Sequence, residues 1–142
     1  PNLIELPYLP STEIFFSNIE YGVLKPFRQS IEITPKNILL VTGIGNPKPL
    51  IEFLEKNHKV EHMRFKDHHT FTSRDIAEIH QKFNIFANSD KIIVTTEKDF
   101  MRLQNFEECN SSNYPWFYQP IITTISEQQK FKTYINGYVS KV

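Results

Sequence analysis

Asp67, His68 and His69 are consecutive, which sets a carboxylate beside two groups that titrate near neutrality. Such a set can do two kinds of chemistry. The acid can orient or charge an imidazole that relays a proton, or the three side chains can serve as ligands for a divalent metal. Adjacent loop residues rarely supply more than two ligands of one site, so a metal would also need Glu97 or Asp99. A plainer reading makes both histidines loop polar groups bonded to the backbone near a helix start. Two other polar stretches merit the same treatment. Gly43-Ile44-Gly45-Asn46-Pro47-Lys48-Pro49 could present backbone N–H groups to an anion, yet it lacks the third glycine of G-x-G-x-x-G and the G-K-S/T of a Walker A loop. It reads equally as a tight turn, with Pro47 opening a helix. Thr95-Thr96-Glu97-Lys98-Asp99 reads as a helix N-cap whose acids favour the dipole that follows.

The elements that must carry these stretches follow from hydrophobic spacing. Ile38-Leu39-Leu40-Val41 is a continuous apolar run of buried-strand length, and Leu50, Ile51, Phe53 and Leu54 form the stripe of a helix ending near Asn57-His58. Val60 to Phe65 predicts a second strand; Thr72 and Asp75 carry the S/T-x-x-D/E signal of a helix start, followed by Ile76, Ile79, His80 and Phe83. In that position His80 is a core-edge histidine. Lys91-Ile92-Ile93-Val94 predicts a third strand, then a short helix at Phe100-Met101-Arg102-Leu103. Trp116 to Ile125 is a strand that Pro120 makes an edge or interrupts, and Phe131, Tyr134, Ile135 and Tyr138 mark a last helix. Before all this, Asn2 to Pro10 reads as an extended lead-in, Ile14 to Leu24 as a β-ribbon with a turn at Ser17-Asn18, and Ile31-x-Ile33 as a further edge.

The expected architecture is α/β: a mostly parallel Rossmann-like sheet with helices on both faces over residues 37–142, preceded by a lead-in and short ribbon over residues 1–36. The three polar stretches then leave the carboxyl ends of strands and share one rim, where open α/β sheets bind ligands.

Composition narrows the class. The chain has 142 residues, enough for one cored domain, and its 16 Lys plus Arg balance 16 Asp plus Glu, so no nucleic-acid footprint or polybasic membrane patch is indicated. Cys109 is the single cysteine, which rules out an intrachain disulfide and a Cys-based zinc cluster; beside Glu107, Glu108 and Asn110 it reads as an incidental loop thiol. No apolar run is long enough to span a membrane. Pro1 stands where a methionine would open a whole protein, and the chain reads as a piece of a longer one.

Three blocks, in order, resemble the carboxy-terminal portion of the tetraacyldisaccharide 4'-kinases of Gram-negative lipid A biosynthesis. Val41-Thr42-Gly43-Ile44-Gly45-Asn46-Pro47 with Phe53-Leu54 is similar to the family's glycine-isoleucine block. Phe65-Lys66-Asp67-His68-His69-Thr70-Phe71-Thr72 with Asp75-Ile76 resembles its D-H-H block, with Lys66 where proline is frequent. Val94-Thr95-Thr96-Glu97-Lys98-Asp99 resembles its T-E-K-D block, and Phe15-Phe16-Ser17 to Tyr21-Gly22 its link between two domains. The resemblance implies transfer of the ATP γ-phosphoryl group to the 4' hydroxyl of tetraacyldisaccharide 1-phosphate, the lipid A precursor, at the cytoplasmic face of the inner membrane. It implies that ATP and Mg²⁺ are bound mainly by an amino-terminal P-loop domain outside this chain, so that this chain alone is inactive. It assigns His68 and Asp67 to catalysis in a cleft between domains, with His69, Glu97, Lys98, Gly43 and Gly45 lining it, and no metal ligand or nucleotide-binding residue here. Two rival readings remain on the residues alone: a metal-dependent phosphoesterase of the DHH kind, and a non-catalytic α/β interaction domain.

Overall fold

The computed structural model describes residues 14–28, 34–87 and 89–139. The expected lead-in at Asn2 to Pro10, the edge at Ile31-x-Ile33 and the Tyr138 side chain lie outside the described residues. The described chain divides into two compact units, one of residues 21–121 and one of the residues before and after that range.

The larger unit is built on a five-stranded sheet. Its strands are β2 (Lys25–Pro26), β3 (Asn37–Thr42), β4 (Lys59–Arg64), β5 (Lys91–Thr96) and β6 (Trp116–Gln119), in the order β2-β6-β5-β3-β4. β3, β4, β5 and β6 run parallel and the two-residue β2 pairs antiparallel with β6. The continuous apolar runs occupy the middle: Ile38 to Val41 and Ile92 to Val94 are all essentially inaccessible, as strands covered on both faces must be. Alternation sends Leu39, Val41 and Ile93 to one face, under Ile76, Ile79 and Phe83 of helix α2 (Ser73–Ile85) and Leu103 of helix α3 (Glu97–Leu103). Ile38, Leu40, Ile92 and Val94 go to the other, under Leu50 and Leu54 of helix α1 (Lys48–Leu54). The α/β class with a mostly parallel sheet and helices on both faces is therefore what the strand runs predict.

The smaller unit holds helix α4 (Gln128–Val139) and all but the boundary residues Tyr21 and Ile121 of strands β1 (Ser17–Tyr21) and β7 (Ile121–Ile125), which pair as a separate ribbon. Phe15 packs edge-on against Phe131 at 5.1 Å and against Tyr134 at 5.9 Å. A ribbon was expected, but not its pairing. Ser17 and Asn18 lie inside β1 instead of turning, and the partner strand comes from beyond Pro120, the residue that separates β6 from β7. A local turn signal cannot reveal a partner a hundred residues away.

Cys109 also departs from expectation. A short 3-10 helix at Glu107–Asn110 turns its thiol into the core beside Leu103 and Trp116, and burial pushes the group up to about 12. It is an inert core side chain.

His80 occupies the core edge as its helical position predicts, with 8% of its surface exposed. The Trp116 indole N–H can only donate, so Nε2 of His80, 3.0 Å away, must accept, and the ring stacks on Tyr114 at 3.5 Å. Burial lowers its pKa from 6.5 to about 4, against a weaker upward pull from Glu108. The sign follows from which state protonates first. On acidification the unfolded chain takes the proton near pH 6.5 while the folded one resists, so stability is full above that value and falls until about pH 4. Half-buried His62, lowered by burial and then by Arg64 and Lys82, adds in the same direction. Urea unfolding should lose roughly 2–3 kcal/mol between pH 7 and pH 4.5. His80→Gln, which can still accept from Trp116 but does not titrate there, should flatten most of that slope; an unchanged slope would contradict the assignment.

Candidate functional site

β3 lies between β4 and β5, so the exits of all three strands are neighbours. Gly43 follows β3, Asp67 to His69 follow β4, and Lys98 and Asp99 sit in the first turn of α3 immediately after β5. The three polar stretches meet at one rim through specific bonds.

Asp99 is the buried pin. With no exposed surface, its Oδ2 accepts the Gly43 N–H at 2.8 Å and the Thr96 hydroxyl at 2.9 Å, while Oδ1 has no hydrogen-bond partner among the described residues. Thr96 caps α3 in return, its Oγ1 accepting the Asp99 N–H at 3.0 Å. A side chain at position 43 would meet this pin: a Cβ there would stand 3.3 Å from Asp99 Oδ1 and 3.4 Å from the Lys66 carbonyl. A Cβ there would press on both, so the close approach favours glycine.

The Gly43 carbonyl then binds the other two stretches, accepting from Lys98 Nζ at 3.0 Å and from the His68 N–H at 3.3 Å. Lys98 Nζ also donates to Asp67 Oδ1 at 3.0 Å, and the His68 N–H reaches the same oxygen at 2.9 Å. One carboxylate oxygen is thereby occupied and the other left over. Asp67 Oδ2 faces the His68 imidazole, Nε2 at 3.7 Å, and lies 3.4 Å from where a Cβ on Gly45 would stand. The Lys98 hydrogen bond, helped by the His68 N–H, holds the Asp67 carboxyl below its usual range and keeps it ionised near neutrality.

The two histidines differ in kind. His68 has φ of 58°, in the left-handed region that a non-glycine residue enters at some cost, and its side chain is 75% exposed. His69 is tied down: Nε2 lies 3.1 Å from Asp75 Oδ2, the ring packs against Phe65 and Phe71, and its carbonyl accepts from Arg102 Nη1 at 3.1 Å. Asp75 is itself committed to the capping box of α2, bonded by the Thr72 N–H and hydroxyl, as the Thr72-x-x-Asp75 spacing predicts. Burial raises the Asp75 pKa, but the Thr72 and His69 bonds outweigh it and the net shift is downward.

Glu97 points elsewhere, its Oε2 accepting the Ile121 N–H at 3.2 Å; no hydrogen bond or ion pair among the described residues joins it to Asp67, His68 or Lys98. The metal reading of the triplet needed Glu97 or Asp99 as a further ligand, yet among the described residues no three His, Cys, Asp or Glu side chains are grouped to hold an ion. In the glycine turn the Gly43 N–H is spent on Asp99 and Pro47 has no N–H, so neither position can donate to a phosphate. The sequence offers Asp99 as a possible metal ligand and as a helix N-cap acid, not as a pin between strands, and marks neither Arg64 nor Arg102 as a rim residue. The available signal was Thr96-x-x-Asp99, the same spacing as Thr72-x-x-Asp75, which marks a cap but not that the acid would turn to a neighbouring strand.

The family model described as tetraacyldisaccharide-1-P 4'-kinase matches residues 12–140, nearly the whole chain. The chain belongs to the tetraacyldisaccharide-1-P 4'-kinase family. Tetraacyldisaccharide 4'-kinase of Bacteroides thetaiotaomicron is 35% identical over 148 aligned residues, covering 92% of this chain and 39% of that protein. The corresponding kinase of Flavobacterium johnsoniae is 38% identical over 136 residues, covering 92% of this chain and 37% of the relative. The chain thus spans about two fifths of the length of these kinases. The crystal structure of LpxK from Aquifex aeolicus in complex with ATP superposes with a TM-score of 0.50 at 19% identity, over 86% of this chain and 35% of that one, which supports the shared fold. No helix among the described residues is long and apolar enough to cross a membrane.

Proposed function

We propose that this chain is the carboxy-terminal part of a kinase that moves the γ-phosphoryl group of ATP to the 4' hydroxyl of tetraacyldisaccharide 1-phosphate. The reading rests on family membership together with one geometric observation: an exposed imidazole held beside an ionised carboxylate whose second oxygen is free for it. His68 takes the proton of the attacking sugar hydroxyl, and Asp67 stabilises the imidazolium that results. Lys98 and the Gly43 carbonyl hold Asp67 and His68 in place, and Gly45 gives the Asp67 carboxylate room. His69 acts from behind, fixing the loop to α2 through Asp75, and Glu97 borders the rim, accepting the Ile121 N–H. Phosphoryl transfer asks chiefly for positioning and charge stabilisation, so a modest acid–base pair is a sufficient contribution from this domain.

ATP supplies the transferred group and, with Mg²⁺, belongs to an amino-terminal P-loop domain beyond this chain; the α/β sheet unit closes over it from the other side. The whole enzyme works at the cytoplasmic face of the inner membrane, where its lipid A precursor resides. The test is ATP-dependent phosphorylation of tetraacyldisaccharide 1-phosphate by the full-length protein and by this chain alone. Activity of the former and none of the latter is expected. A full-length protein that leaves the disaccharide unmodified would overturn the reading.

A further inference from the structure

Arg64, the last residue of β4, stands at the same rim. Its guanidinium is exposed but oriented: Nη2 donates to the Gly45 carbonyl at 3.0 Å. The same Gly45 backs Asp67, whose Oδ2 lies 3.4 Å from its would-be Cβ, so the Arg64 fork and the His68–Asp67 pair lean on a single residue. Among the described residues no carboxylate pairs with Arg64. The two acids nearest to it in sequence, each three residues away, are engaged elsewhere: Asp67 binds Lys98 through Oδ1 and faces the His68 imidazole with Oδ2, and Glu61 pairs with Lys82 at 2.9 Å. Lys66, two residues on, is also exposed and forms no ion pair among the described residues. His62, on the same face of β4 as Arg64, is bonded to the Thr42 hydroxyl at 2.8 Å, and burial and the Arg64 charge keep it neutral, so it neither adds a cation nor offers an anion. Among the described residues the rim therefore carries an oriented guanidinium with no carboxylate partner and most of its N–H donors unspent, with a second cation unpaired by any acid two residues along the chain. Planar forks of this kind bind phosphate through two parallel hydrogen bonds, and orientation in advance reduces the entropy lost on binding.

We infer that Arg64, braced by Gly45 and assisted by Lys66, is a phosphate clamp for one of the reactants brought to the His68–Asp67 rim. This rests on the kinase reading above. Two phosphates share the required chemistry: the 1-phosphate of the acceptor disaccharide and the terminal phosphates of the nucleotide. The lysine stem carries a charge but no fork, so Arg64→Lys should recover only part of what Arg64→Ala loses.

The experiment is calorimetric titration of the full-length protein, and of its Arg64→Ala and Arg64→Lys variants, with three probes: tetraacyldisaccharide 1-phosphate, the same disaccharide without the phosphate, and ATP with Mg²⁺. Thermal unfolding confirms that each variant is folded. A charge-assisted contact of this sort corresponds to roughly 10- to 100-fold in Kd. If the acceptor phosphate is the ligand, wild type should prefer the phosphorylated disaccharide by that factor, and Arg64→Ala should lose the preference with ATP affinity unchanged. If the nucleotide is the ligand, Arg64→Ala should weaken ATP by that factor and leave the acceptor preference intact. Either result supports the clamp. Wild-type affinity for all three probes in folded Arg64→Ala overturns it. Because binding is read without turnover, a protein that binds in this pattern but does not phosphorylate the disaccharide would count against the kinase reading alone.

Discussion

Asp99→Ala should destabilise the protein by roughly 3 kcal/mol, a large share of the total stability of a domain this size. The carboxylate is wholly enclosed and accepts the Gly43 N–H and the Thr96 hydroxyl. Removing it leaves a buried amide without an acceptor at the end of a central strand, and such a group loses its hydration without compensation. Thr96 still caps α3, so the helix start itself survives. Asp99→Asn separates the contributions. Its side-chain carbonyl can keep the Gly43 bond, and the charge that was costly to bury disappears, so it should cost less than half as much as alanine. Chemical unfolding of the three proteins at pH 7 checks this; equal stability of Asp99→Ala and wild type would show that the pin carries no energy. Activity of the full-length enzyme should fall with the alanine variant as well, because Gly43 positions both Lys98 and the His68 backbone.

How much of this could be read from the sequence depends on the range of the interaction. Ile38 to Val41 and Ile92 to Val94 announce their burial because a strand covered on both faces needs every side chain apolar. Thr72 and Asp75 announce a helix start because the capping box closes within four residues. The same local logic placed the D-H-H stretch at a strand exit. It could not say which imidazole is free, since that turns on Asp75 reaching back to His69 and on the left-handed turn at His68. Nor could it separate Asp99 from Asp75: two acids at identical spacing from a capping threonine, of which one closes its own box and the other crosses to Gly43, 56 positions away. Cys109 looked like a loop thiol for the same reason, its flanking glutamates being visible in the sequence and its packing against Leu103 and Trp116 not. The β1–β7 ribbon joins residues from both ends of the chain, which no periodicity encodes.

The largest effect on activity should come from His68. Among the described residues it is the rim imidazole with an exposed ring, an adjacent carboxylate oxygen not claimed by another group, and a backbone in the left-handed region. In the proposed mechanism it acts only on the reacting hydroxyl, so its loss should fall in kcat; His69, bonded to Asp75 and packed between Phe65 and Phe71, supports the loop and should affect stability before chemistry. The deciding measurement is the steady-state kinetics of 4'-phosphorylation by full-length wild type and His68→Ala, with unfolding curves to show that the variant is folded. The account predicts a loss of kcat of ~10²-fold or more with KM for the disaccharide little changed. A folded His68→Ala enzyme with wild-type kcat would contradict it and leave this domain as a platform for substrate.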